Sequence, residues 1–181
     1  MKKNSGFTLV EILVVIAIIT ILMTISIPNF LIWRDNTRLK SAAGDIYNAM
    51  QGAKMGAIKD NRRWAVSFNT GNGTYSIVNS VNGTFGDGND ITVNTFTMAS
   101  YGSGVAYGHG AATKSLGSSF ASDNVDFADN RAAFLGSGMF DSGDPGKYVY
   151  ISNVRNNAYA IGLSSIAGAV TIKKWGGTDW N

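Results

Sequence analysis

Three apolar patterns follow one another along the chain. The first is a nearly unbroken run, FTLVEILVVIAIITILMTISI, from Phe7 to Ile27, with Glu11 its only charge. At about 1.5 Å of rise per residue, such a helix covers a hydrocarbon core of roughly 30 Å. Pro28 follows at once and predicts a kink or an interruption, because it lacks the N–H that the helix needs. The second pattern is periodic. Leu39, Ala42, Ala43, Ile46, Ala49, Met50, Ala53, Ala57 and Ile58 recur at i, i+3, i+4 and i+7, while Arg34, Asp35, Arg38, Lys40, Asp45 and Lys54 fall mostly elsewhere. This predicts an amphipathic half-helix whose small residues pack closely on a sheet. It should end near Lys59 to Arg62, where Asn61 breaks the spacing.

The third pattern has a period of two. WAVSF, TYSIV, ITVNTF, VDF, KYVYIS, NAYAIGL and AVTIKKW are rich in β-branched and aromatic residues and read as strands. Asn72-Gly73 and Asn82-Gly83 are hairpin-turn signals. Ala99 to Asp123 is rich in Gly and Ser and has no period, which predicts a long loop or weak hairpin with freedom to move. A helix followed only by strands predicts an α+β fold: a long N-terminal helix on a C-terminal antiparallel sheet. We divide the chain into a leader (1–6), a membrane-spanning helix (7–28), the amphipathic half of the same helix (29–62) and a globular β domain (63–181).

The leader MKKNSG carries Lys2 and Lys3, which favours an N-in orientation. A secretory signal fits poorly. The run exceeds the usual h-region of roughly 7–15 residues, and no A-x-A-like site closes it. A plain membrane anchor leaves Glu11 unexplained, since a carboxylate at mid-membrane costs about 2.5–3.5 kcal/mol. Leader, Gly6-Phe7, Thr8-Leu9, Glu11 at the fifth position after the glycine, and then an apolar helix as far as Pro28 resemble the N-terminus of type IV pilins and type II secretion pseudopilins. The resemblance implies cleavage after Gly6 by a prepilin peptidase and N-methylation of the new Phe7 amine. It also gives Glu11 a role, pairing with the Phe7 amine of a neighbouring subunit during filament assembly. Opposite charges in hydrocarbon attract strongly and offset part of each other's desolvation. Cleavage removes Lys2 and Lys3 and lowers the side-chain charge from +3 to +1.

Phe134 to Gly138, a following strand, and a hairpin over Ser164 to Ile172 resemble the minor pseudopilin and minor pilin group of the H-type pseudopilins and the FimT- and FimU-like pilins. Cys is absent, so the disulfide loop of many major pilins is absent too.

Composition narrows the chemistry. With no Cys and one His, disulfides, thiolate metal sites and multi-histidine centres are excluded. His109 sits among glycines and reads as a solvated surface residue. No G-x-S-x-G elbow or phosphate-binding glycine motif is present. Asp87, Asn89 and Asp90 are weak candidates for calcium, as is an acidic turn with Asp141 and Asp144; ordinary turn chemistry explains both. Asn72-Gly73-Thr74 and Asn82-Gly83-Thr84 match the glycosylation acceptor but read as turns. Lys173, Lys174 and Trp175 interleave charge with an aromatic ring and are weak candidates for nucleic acid. The Gly-Arg-x-Arg element of DNA-binding FimT-like pilins corresponds to Gly168-Ala169-Val170-Thr171, without its arginines, and lysines on an edge strand serve equally as guards.

The expectation is a structural subunit, not an enzyme, with no cofactor. It is a minor pilin or pseudopilin of a type IV pilus or type II secretion pseudopilus; the alternatives are a major pilin or a DNA-uptake or adhesion pilin. Its partners are other pilin subunits, prepilin peptidase and the inner membrane, with nucleic acid not expected. Its place is the bacterial inner membrane as a precursor, then a periplasmic or extracellular filament.

Overall fold

The computed structural model describes residues 7–102, 104–117, 119–141 and 145–181. One helix, α1, runs from Leu9 to Asp60 with Pro28 inside it. The helix is not interrupted at Pro28. Asn29 donates its side-chain amide to the Ile25 carbonyl at 3.1 Å, whereas the carbonyl that loses its helical donor to Pro28 is that of Thr24. The chain forms two compact units, residues 1–34 and 35–181. The helix segment from Asp35 therefore belongs with the strands that follow it.

In the first unit, every described apolar side chain from Phe7 to Ile27 is exposed. The helix is long and apolar enough to cross a membrane.

The second unit holds two four-stranded antiparallel sheets. Strands β1 (Trp64–Asn69), β2 (Thr74–Ser80), β3 (Asp90–Thr97) and β5 (Arg131–Phe134) form one sheet in the order β3-β2-β1-β5. Strands β4 (Ala106–Tyr107), β6 (Lys147–Ser152), β7 (Ala158–Leu163) and β8 (Val170–Lys174) form the other in the order β4-β6-β7-β8. Asn72-Gly73 lies in the tight β1–β2 connection, with Gly73 at φ +62. Asn82-Gly83 opens a longer loop between β2 and β3 rather than a two-residue turn.

The core sits between the helix and one face of both sheets. Leu39, Ala42, Ala43, Ile46, Ala49, Met50, Ala53 and Ala57 are all buried, as the spacing predicts. Against them lie Val66, Phe68, Tyr75, Phe134, Val149, Ile151, Ile161 and Leu163. Ile58 was expected on the same stripe but is 52% exposed. The alternation of KYVYIS has a simple use. Val149 and Ile151 face the helix, whereas Tyr148 and Tyr150 fill a second cluster with Ala158, Ala160, Trp175 and Trp180.

The described part of 99–123 serves both clusters: Tyr101, Val105 and Tyr107 pack with the first, and Ala112, Leu116 and Phe120 with the second. The segment contains a 3₁₀ turn ending at Tyr101 and the two residues of β4. Ala112 is buried in the second cluster, with Leu116 and Phe120 packed on it. Trp180 donates its indole N–H to the Lys114 carbonyl at 2.7 Å, and Tyr107 donates its hydroxyl to the Thr74 carbonyl at 2.7 Å. What reads as a loose Gly/Ser stretch is pinned by its few apolar residues. VDF, expected as a strand, makes only an isolated bridge from Val125 to Val149. Conversely, Arg131–Phe134 is a strand paired with β1.

Candidate functional site

The start of α1 is the site that the sequence singles out. Thr8 is the residue before the helix and Glu11 stands three positions on. The Thr8 hydroxyl oxygen accepts the Glu11 N–H at 3.2 Å. Glu11 Oε2 in turn accepts the Thr8 N–H at 3.3 Å and the Thr8 hydroxyl at 3.4 Å. This reciprocal pair is a capping box, which satisfies otherwise orphaned N–H groups of the first turn. Its sequence sign, Thr-x-x-Glu before an apolar run, is present at Thr8–Glu11. Reading Glu11 only for its charge misses it.

The capping box changes what Glu11 can do. Its carboxylate is held against the helix start, and a negative group there is favoured by the helix dipole. Glu11 pairs with no cation among the described residues, and the bonds from Thr8 reach only its Oε2. Phe7, immediately before the cap, is exposed. Gly6 and the rest of the leader lie outside the described residues.

The C-terminal elements come together at the other end of α1. Lys54 donates to the carbonyls of Ala167 and Gly168 at 3.1 and 3.0 Å, tying the helix to the β7–β8 turn. Phe140 N–H bonds the Ile166 carbonyl at 2.8 Å. Gly138 (φ +78) packs so near Ile58 that a Cβ there would overlap its side chain. The Phe134–Gly138 element and the Ser164–Ile172 hairpin, read separately in sequence, are thus one packed corner.

The remaining candidates are placed differently. His109 is half-buried rather than solvated: its ring stacks on Phe120 at 4.1 Å between centroids, and Nδ1 lies 3.1 Å from the Ala112 carbonyl. Trp175 is buried, its ring 5.4 Å from that of Trp180, and offers no open face to a base. Lys173 and Lys174 lie on β8, an edge of its sheet, the position where lysines deter further strand pairing.

Asp87 accepts from the side-chain amides of Asn82 and Asn89 and from the Asn89 N–H. The Asn82 amide, with help from Asn89, holds the Asp87 carboxyl below its usual range. Asp90 accepts the Gly86 N–H at 2.7 Å. These acidic groups serve their own turn. Among the described residues no three His, Cys, Asp or Glu side chains gather as a metal shell. Asp141 is engaged by Arg63 at 2.7 Å, while Asp144 lies outside the described residues.

Comparison with known proteins agrees with this arrangement. Residues 1–27 match the family model of the prokaryotic N-terminal methylation motif. The fold is similar to the crystal structure of the type IV minor pilin FimU of Pseudomonas aeruginosa. The TM-score is 0.55 at 12% identity, over 82% of this chain and 96% of that one. The minor pseudopilin EpsH from the type 2 secretion system of Vibrio cholerae is also similar, with TM-score 0.49 and 12% identity over 78% of this chain and 99% of that one. No curated protein sequence matches the chain. A long N-terminal helix on antiparallel sheets is a pilin-like fold, and here it follows a methylation motif. More particularly, the N-terminal 27 residues carry a prokaryotic methylation motif, and the fold that follows is similar to that of a type IV minor pilin.

Proposed function

We propose that the chain is a minor pilin or pseudopilin, made as an inner-membrane precursor and drawn into a filament after processing. Prepilin peptidase cuts after Gly6 and the exposed Phe7 amine is methylated. Glu11 then receives the Phe7 ammonium of a neighbouring subunit. The observation that carries this reading is the capped carboxylate at the head of an exposed apolar helix, inside a methylation motif. A carboxylate isolated in hydrocarbon is costly. Donation from Thr8 lowers that cost without using up the charge, and a second subunit's ammonium offsets it further. In this reading residues 1–6 are discarded, 7–28 hold the membrane and then the filament axis, 29–62 carry the sheet domain, and 63–181 form the exposed β domain.

Mass spectrometry of the mature N-terminus tests the processing. The native protein should begin at N-methylated Phe7, and Gly6→Val should leave a membrane-bound precursor. Any other start would overturn the reading. Copy number in sheared filaments distinguishes a minor subunit from a shaft subunit.

A further inference from the structure

We propose that Phe30 and Trp33 anchor the precursor in the outer headgroup layer of the bilayer and set the depth of α1 before assembly. This rests on the membrane-spanning reading above. The two rings lie one turn apart on the same side of the helix, with centroids 5.8 Å apart. They are 57% and 62% exposed. Large apolar rings in such exposure are unusual on a surface that meets only water, and they continue the exposed apolar run that begins at Phe7.

Their distance along the helix selects lipid as the partner. With Leu9 at one edge of the hydrocarbon, Phe30 stands about 31 Å and Trp33 about 36 Å away, at about 1.5 Å per residue. The hydrocarbon is about 30 Å thick, and the bilayer with its headgroups about 40–45 Å. Both rings therefore fall in the far interfacial layer, where Trp is enriched because its ring is apolar and its N–H is polar. The sequence changes character at this level. Glu11 is the only charge from Phe7 to Trp33, whereas Arg34, Asp35, Arg38 and Lys40 follow within a few positions. The Trp33 ring marks the boundary between the two compositions.

The test uses the full chain, reconstituted in phosphatidylcholine and phosphatidylglycerol vesicles whose acyl chains carry bromine either near the headgroup or near the chain end. Bromine quenches tryptophan emission at close range. The fraction quenched should be larger with shallow bromines than with deep ones, and it should vanish in Trp33→Phe. Because the chain has no cysteine, single thiols introduced at Ile25 and Asn29 can report depth through a membrane-impermeant maleimide. Phe30→Ala with Trp33→Ala should change labelling at one of these positions several-fold, while Trp33→Tyr keeps the native pattern. Two results would each overturn the anchor in a chain that still floats with the vesicles: Trp33 left unquenched or quenched most by deep bromines, or an unchanged labelling pattern in the double variant. Emission that becomes shielded only when assembled filaments form would assign the rings to a neighbouring subunit instead. A chain that fails to float with the vesicles at all would overturn the membrane-spanning reading itself.

Discussion

One helix has two halves of opposite character: the first is apolar and exposed on every side, the second is buried along one stripe. Residues 9–27 present large aliphatic side chains on every side, none of them buried. From Leu39 to Ala57 the buried positions are mostly alanine, with Leu39, Ile46 and Met50 between them. A span in lipid needs apolar bulk all round, because the surrounding medium is itself apolar. A helix lying on sheets needs a narrow stripe of small residues that lets backbones approach. The lesson is that apolar content alone does not say what a helix segment stabilises. The first half's apolar groups contribute to the domain's stability only weakly, and the second half's contribute strongly.

The largest effect that tests this contrast is on assembly. Glu11→Ala should be cleaved and inserted normally, yet its entry into filaments should fall at least tenfold, equivalent to about 1.4 kcal/mol of lost interaction. Glu11→Gln sharpens the reading. Glutamine can still complete a capping box with Thr8, but it carries no charge. If the ammonium partner is what matters, Gln should fail as Ala does. Filament entry restored by Gln would reduce Glu11 to a helix cap.

Core truncation comes next. Ile46→Ala removes a fully buried side chain and should cost the domain about 2–5 kcal/mol. Ile18→Ala removes the same groups from the exposed half and should change domain stability by less than about 0.5 kcal/mol. Urea unfolding of the full chain in detergent, followed by near-ultraviolet circular dichroism, compares the two. Equal losses would break the contrast between the halves.

A smaller loss is expected at the corner that joins helix and hairpin. Lys54→Met keeps the aliphatic stem but removes the two bonds to Ala167 and Gly168. The expected cost is about 1 kcal/mol. Faster amide exchange should be concentrated around Ser164–Gly168, and exchange at Phe7–Ile27 should not change.

Much of this was legible in the sequence because it is local. The helical stripe is a matter of spacing, and eight of its nine expected positions are buried. Ile58 escapes because the packed corner ends at Gly138, leaving much of that side chain in the open. Strand β5 was missed since RAAF is short, begins with a charge and has two alanines, which carry little β propensity. VDF reads as a strand by composition, but its pairing stops at a single bridge from Val125 to Val149. The capping box was readable from Thr8 and Glu11 alone. Arg63 meeting Asp141, Lys54 meeting the hairpin, and Trp180 closing against Trp175 and Tyr150 were not, because the first two join positions far apart in the chain and all three depend on how the strands fold back.

The smallest expected effect concerns the domain's own counterpart to Glu11. Asp126 is a carboxylate in packed protein rather than lipid. Burial pushes its carboxyl above the usual range; the Ala121 N–H at 3.2 Å and the positive charge of Lys147 act in the opposite direction. A folded state with a raised carboxyl pKa holds its proton more tightly than the unfolded chain does. The group's contribution is then greatest in acid. It declines as pH rises from the unfolded value, about 3.9 for aspartate, through the raised folded value. Asp126→Asn removes the titration while leaving an oxygen for the Ala121 N–H. The urea midpoints of variant and parent should be closest near pH 4, and at pH 7 the variant should be slightly the more stable. Partial exposure to water keeps the difference small. A variant that instead falls behind as pH rises would show that Lys147 outweighs burial, and that this carboxylate is held by a charge partner, as Glu11 is proposed to be.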